Sequence, residues 1–348
     1  MDEFARRPAA DRADLFRTVA AQRGFNPAIV EKDFWACWTL KHLFALETPP
    51  AGLLFKGGTS LSKVFKVIER LSEDIDLSFD RGGLGFGGDK DPFSATGRKQ
   101  RERSLKALAD TCRNVIQARF LPQLAAVFST HLEQAVGQGW RLELANDDPD
   151  QQTLVFGYPA SLGTRPADEP AYIRPAIRLE LGARSEHWPV IDATVASFVA
   201  EDFPALFRAP VAPVRVLSAE RTFWEKATAL HAWHRAPSGK AMGHRFSRHF
   251  YDVVRMYEDE LGRKAIRDTG LLQRVIKHKM VFFPSRWAQY EEARPGTLRL
   301  VPPYSRLAEL RADYQSMREM IFGEAPTFDH LIAVLTEIEA AVNATAHS

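Results

Sequence analysis

Two aspartates, Asp74 and Asp76, stand one residue apart in the run DIDLSFD. Residues two apart in a strand project to the same face. Both carboxylates therefore point one way, with Ser78 beside them, while Ile75, Leu77 and Phe79 face a core. Like charges on one sheet face repel, and a pair so placed suits a hard cation such as Mg²⁺, which takes oxygen ligands. Such an ion bridges phosphate oxygens and stabilises charge during in-line attack on a nucleotide phosphate. Upstream stands Gly57-Gly58-Thr59-Ser60. Glycines let a chain turn sharply, and a helix N-terminus offers free N–H groups to an anion. Here the Thr59 and Ser60 hydroxyls would join them. An Asp-x-Asp alone reads more simply as a solvated strand end. The glycine turn one helix upstream shifts the reading toward a metal and a phosphate.

The elements that must position these residues are legible around them. Asn26 as N-cap and Pro27 at the first helical position open a helix that ends before Pro49-Pro50. GLLFKGG reads as a buried strand running into the glycine turn. In TSLSKVFKVIER, Leu61, Val64, Phe65 and Ile68 have helix spacing. The Gly-rich stretch 81–93 lacks the Lys-Ser ending and the G-x-G-x-x-G spacing of phosphate loops and reads as flexible. A long helical region spans about Arg98 to Glu133. WRLEL, TLVFGYP, AIRLELGA and VIDATVASF then read as strands that extend the sheet in antiparallel fashion. From Ser218 onward the pattern is helical, so the expected organisation is an α/β domain over 1–215 and a helical domain over 216–348.

The 348 residues allow one large domain or two ordinary ones, and an apolar fraction of 45% suffices for a core. A net charge of +2 argues against a protein that coats nucleic acid as a whole, but leaves local basic patches open. Cys37 and Cys112 lie in apolar helical runs and read as small buried hydrophobes, excluding a disulfide scaffold. The N-terminal residues lack the apolar core of a signal peptide, and no run approaches a membrane span. A cytoplasmic location is the expectation.

The order Gly-Gly-Thr/Ser, helix, Asp-x-Asp resembles the nucleotidyltransferase superfamily that includes DNA polymerase β. More narrowly, EKDFW, KGGTSLSKVF, RLSEDIDLSF and RHFYDVVRM resemble the AbiEii/AbiGii toxins of AbiE-type toxin–antitoxin systems, with which the MenT toxins belong. The resemblance covers at least residues 31–256. It implies a polymerase-β-like α/β core with a mixed sheet and a helical C-terminal domain. It places the first motif on Gly57, Gly58, Thr59 and Ser60, with Lys63 behind, and the metal ligands on Asp74 and Asp76. Lys226 matches the helical lysine that contacts nucleotide, and Asp252 the final aspartate. The helical domain would contribute both to the site. Ser72 matches a serine that a kinase-like antitoxin phosphorylates in some MenT-type systems.

Without the resemblance, Lys226 reads as a snorkelling surface lysine, Glu225 as solvated, and Asp252 as a helix-surface partner of Arg248 or Arg255. Polymerase-β-like enzymes often use a third carboxylate on a neighbouring strand, and the resemblance would give Glu180 that place as general base; the residues alone read equally as a surface pair of Arg178 with Glu180 on an edge strand. His231 and His234 lack a zinc motif. With Arg235, Lys240, Arg245 and Arg248 they read as a basic or a solvated loop. The basic stretches 97–103 and 274–279 would suit an RNA backbone or be solvated faces. The family implies an NTP with Mg²⁺, tRNA or another RNA as acceptor, most of all a tRNA 3′ end, blocked translation, a separately encoded antitoxin and no membrane. Two alternatives stay open: transfer to a protein or small molecule, and a nucleotide-binding module without turnover.

Overall fold

In the computed structural model, residues 1–347 are described except 48, 136, 163–172 and 244. The chain divides into two compact units: Met1–Val64 with Ser72–Val216, and Phe65–Leu71 with Leu217–Ser348.

The first unit is a mixed sheet dressed with helices. Its helices are α1 (Asp2–Ala5), α2 (Ala9–Arg23), α3 (Pro27–Phe44), α4 (Gly57–Lys63), α5 (Arg98–Val115), α6 (Leu121–Leu132) and α7 (Phe198–Asp202). Its strands are β1 (Leu53–Lys56), β2 (Asp74–Phe79), β3 (Arg141–Leu144), β4 (Thr153–Gly157), β5 (Ala176–Glu180), β6 (Val190–Ala196) and β7 (Val211–Leu217). They lie in the order β3-β4-β5-β2-β1-β7-β6. β1 and β2 pair antiparallel, whereas β5 joins β2, and β7 joins β1, in parallel. The mixed α/β fold read from the sequence is the fold observed.

α3 starts as its caps dictate: the Asn26 side chain accepts from the Ala28 N–H, with Pro27 at the first position. Phe34, Trp35 and Trp38 are all fully buried: Phe34 packs on Phe4 and Phe16 of the neighbouring helices, while Trp35 and Trp38 meet Phe156 of the sheet and Trp35 stacks on Tyr158. Burying such side chains contributes about 1.5–3 kcal/mol each, so α3 is a principal tie between helices and sheet. The long helical region is two helices joined by a wider π turn at Ile116–Phe120, followed by Pro122, which has no N–H to donate.

Four sequence expectations differ from the structure. The helix read over 59–70 ends at Lys63. Lys66 has φ 55°, and the following residues are extended because they pair with another strand-like segment: Leu71 N–H donates to Met320 O and Phe322 N–H to Glu69 O. That pairing overrides helical spacing and places 65–71 in the second unit rather than within a domain running unbroken over 1–215. β3, β4 and β5 do form an antiparallel extension, but β6 lies at the opposite edge, beside β7. β7 escapes the sequence reading because Pro213 interrupts it; it registers with β1 only at Phe55↔Val216. The stretch 81–93 is a set of defined turns, held by Arg81 Nε on Asp91 and by Asp80 accepting from Gly82 and Gly83 N–H.

The second unit is helical: α8 (Ala219–His234), α9 (Ser247–Glu258), α10 (Glu260–Ala265), α11 (Thr269–Phe282), α12 (Leu307–Met317) and α13 (Phe328–Ala344). α8 is capped by Ser218 accepting from Arg221 N–H. α9 buries Phe250, Val253, Val254 and Met256, and α13 buries Leu331, Leu335, Ile338 and Val342, in helix spacing. Among the described residues no helix is long and apolar enough to cross a membrane.

Candidate active site

The sheet register builds an acid-rich face in the first unit. Lys56 on β1 is opposite Asp76 on β2, and Asp76 is opposite Glu180 on β5. Asp74 is opposite Arg178. In-register residues share a face, so three carboxylates and two cations line one surface, all of them half-buried. The Arg178 guanidinium lies 4.0 Å from Asp74 and 3.1 Å from Asp147. Glu180 is thus placed beside Asp76, and the Arg178 guanidinium is directed toward Asp74 and Asp147.

The glycine turn is fitted to this face. Gly57 has φ 75°, a left-handed conformation, and a Cβ built on it would lie 1.9 Å from Asp76 Oδ2. Only glycine lets the backbone pass so close to that carboxylate. Ser60 Oγ donates to Gly57 O at 2.8 Å, and Thr59 Oγ1 donates to the Asp74 carbonyl. Both side chains are buried. This corrects the expectation that the two hydroxyls are offered to an anion: their protons are committed to holding the turn against β2.

Lys63 is also placed differently from its expected contact with nucleotide. Its ammonium lies 2.6 Å from Asp33 Oδ1 and 4.0 Å from the centre of the Phe198 ring. Burial opposes its charge, but Asp33 outweighs burial and raises its pKa. Asp33 Oδ2 accepts in turn from Phe198 N–H. The neighbouring charges of the EKD run are likewise paired: Glu31 accepts from Ser161, and Lys32 reaches Glu73 at 3.3 Å. Lys32 thereby braces the half-buried Ser72-Glu73 link that enters β2. Sequence reading missed these as a set, although three consecutive charges inside an apolar helix were the signal. It also missed Lys56, which the alternation in LLFK puts on the face of the acids.

In the second unit, Asp252 on α9 is fully buried and accepts from both sides of the Arg70 guanidinium at 2.8 Å. Lys226 Nζ on α8 lies 2.9 Å from the same carboxylate and 3.5 Å from His249 Nδ1. Burial works against the Asp252 charge, but Arg70 and then Lys226 prevail and hold its carboxyl well below the usual range. Burial lowers the Lys226 pKa despite Asp252. Burial, with Lys226 and Arg248 nearby, keeps His249 far below its ordinary value and so neutral. The structure therefore brings Lys226 and Asp252 together and replaces their surface readings. Arg255 pairs with Glu69 and Glu258 rather than Asp252, and Glu225 pairs with Arg221. Arg70 was missed, though it opens the quoted run RLSEDIDLSF.

The two histidines of the basic segment meet backbone groups. His231 Nδ1 accepts from Arg299 N–H while Nε2 faces Gln289 O, and His234 Nδ1 lies 2.7 Å from Val301 O. Residue 244 of that basic segment lies outside the described residues. Both cysteines are buried, and burial pushes the Cys112 thiol up to about 12.

A profile described as the nucleotidyl transferase AbiEii toxin of type IV toxin–antitoxin systems matches residues 38–334. The chain belongs to this AbiEii family. It is a nucleotidyltransferase toxin by that membership, and the motif residues described above fall within or immediately before the matched span. Among solved structures, MenT4, a nucleotidyltransferase toxin from Mycobacterium tuberculosis H37Rv, is 16% identical with a TM-score of 0.48, covering 94% of this chain and 89% of its own. JHP933 from Helicobacter pylori is 12% identical with a TM-score of 0.39, covering 92% and 95%. The family assignment rests on the profile alone. No curated protein sequence gives a match.

Proposed function

We infer that this AbiEii chain is a Mg²⁺-dependent toxin that transfers a nucleotide from an NTP to the 3′ end of a tRNA and so inhibits translation, and that it acts in the cytoplasm. The observation that carries the catalytic part is the row of Asp76 and Glu180 beside Asp74, with Gly57 moulded against Asp76. An all-oxygen donor set of carboxylates fits a hard divalent cation. Asp74 and Asp76 would hold the metal, which when bound supplies Lewis-acid stabilisation to phosphate oxygens. Glu180, in register with Asp76, takes the proton of the attacking 3′ hydroxyl. That oxygen forms the new bond to the α-phosphorus, the bond to the β-phosphate oxygen breaks, and pyrophosphate leaves. In the second unit Lys226 is the cation offered to phosphate charge, and Asp252, fixed by Arg70, positions it. The exposed basic residues of α5 and α11 suit an RNA backbone.

The family implies a separate antitoxin. Ser72, half-buried two residues before Asp74, is where an added phosphate would repel nucleotide and carboxylates alike.

The test is label transfer. Purified protein is incubated with each α-³²P-labelled NTP, Mg²⁺, total tRNA and a protein extract. Label on tRNA from one NTP, absent with Glu180→Gln, is the expected result. Label on a protein band instead would replace the acceptor.

A further inference from the structure

A second cluster of metal-type donors lies in the first unit, on three helices that the acid-rich face does not use. Asp2 comes from α1, His42 from the last turn of α3, and His131 from the last turn of α6. Asp2 Oδ1 lies 2.9 Å from His42 Nε2, and Asp2 Oδ2 lies 3.5 Å from His131 Nδ1. The two imidazole centres are 4.1 Å apart. One ligand atom from each residue lies within 4.8 Å of the other two. His42 is buried, while Asp2 and His131 are half-buried.

We propose that Asp2, His42 and His131 form a divalent transition-metal site whose fitting ion is Zn²⁺. Two imidazole nitrogens and one carboxylate oxygen are a borderline-soft set that Zn²⁺ takes at about 2.0–2.2 Å. Tetrahedral ligands at that radius stand about 3.3 Å apart, and the three donor atoms, all within 4.8 Å of one another, are near enough to draw in around one ion. Mg²⁺ avoids such nitrogen ligands, so the site differs in kind from the all-oxygen face. At present the positive charge beside Asp2 is the Lys41 ammonium, 2.5 Å from Oδ2. Lys41 has a flexible stem and a partly exposed side chain, so it can swing out as the ion enters.

The site has a structural purpose. α1 has only four residues, too few to hold a helix by itself. Yet its Phe4 is buried against Phe16, Phe34 and Phe207. A bound ion fastens α1 to α3 and α6 and keeps that aromatic plug seated.

The test uses the untagged full chain, with Zn²⁺ followed by calorimetry and Co²⁺ by visible absorption. One Zn²⁺ per chain is expected to bind with micromolar or better affinity in millimolar Mg²⁺, and Co²⁺ to give intense tetrahedral bands. Binding should persist in Asp74→Asn/Asp76→Asn. His131→Ala, at a half-exposed position, should weaken binding by about 100-fold with the fold intact by circular dichroism. Lys41→Gln should tighten it, because the competing cation is gone. Absence of micromolar binding, or binding unchanged by His131→Ala, overturns the proposal.

Discussion

The two regions that carry the family motifs use aspartate in opposite ways. On the sheet face of the first unit, Asp74, Asp76 and Glu180 are gathered with Lys56 and Arg178, all half-buried, and carboxylates outnumber cations by one. In the second unit, Asp252 is sealed between Arg70 and Lys226, and there the cations outnumber the carboxylate by one. The first arrangement suits a metal ion. In the second, Arg70 and Lys226 share one carboxylate, which fixes both cations in place. Folding and function are thus weighted differently: the buried aspartate is part of the stability of its unit, whereas the half-buried ones are set against each other by the fold.

The largest expected effect breaks the buried side. Asp252→Asn leaves Arg70 and Lys226 without their shared counter-charge, and urea unfolding should show a loss of about 3–5 kcal/mol. Arg70→Met should destabilise as well, and the double variant by less than the sum, since the two residues act as one pair.

On the sheet side, Gly57→Ala forces an alanine into a left-handed conformation and pushes Asp76 aside. We expect a cost of about 2 kcal/mol, together with loss of nucleotidyl transfer although every carboxylate remains. Activity retained in Gly57→Ala would separate the turn from the acids.

A smaller effect follows from pH and touches both units. Burial depresses His187 in the first unit and His231 in the second to about 4. Their folded pKa values lie below the unfolded one, so the unfolded chain takes up protons that the folded chain refuses. Stability should therefore be full above about pH 6.5 and fall as pH drops toward 4, by roughly 1–2 kcal/mol for each histidine at pH 5. Urea unfolding at pH 7 and pH 5 checks this, with His231→Gln expected to reduce the difference.

The smallest effect sharpens the contrast. Asp76→Asn should leave stability within about 0.5 kcal/mol of the parent, or raise it slightly, because it removes one of several like charges from a half-buried face.

Much of the acid-rich face was legible because strand alternation is a local rule: once DIDLSFD is a strand, Asp74 and Asp76 share a face. Glu180 needed the register of β5 against β2, which no local pattern supplies. The opposite failure occurred between Thr59 and Arg70. Helical spacing there was real, yet pairing with residues 320–322 pulled the second half straight. Arg70 could not be found because its partner is 182 residues away in the chain. Lys63 illustrates the same limit, since the sequence shows a lysine behind the glycine turn but not that Asp33 already holds it.

The central claim is that the acid-rich face is where catalysis occurs. The most direct measurement is nucleotide binding and pyrophosphate release, side by side, in the wild-type chain and in Asp76→Asn with Mg²⁺ and tRNA. The account predicts equal folding in both and turnover lowered by about 1,000-fold or more in the variant, an effect of about 4 kcal/mol on the barrier. Undiminished turnover in Asp76→Asn, or a wild-type chain that binds nucleotide but releases no pyrophosphate with any acceptor, would contradict it.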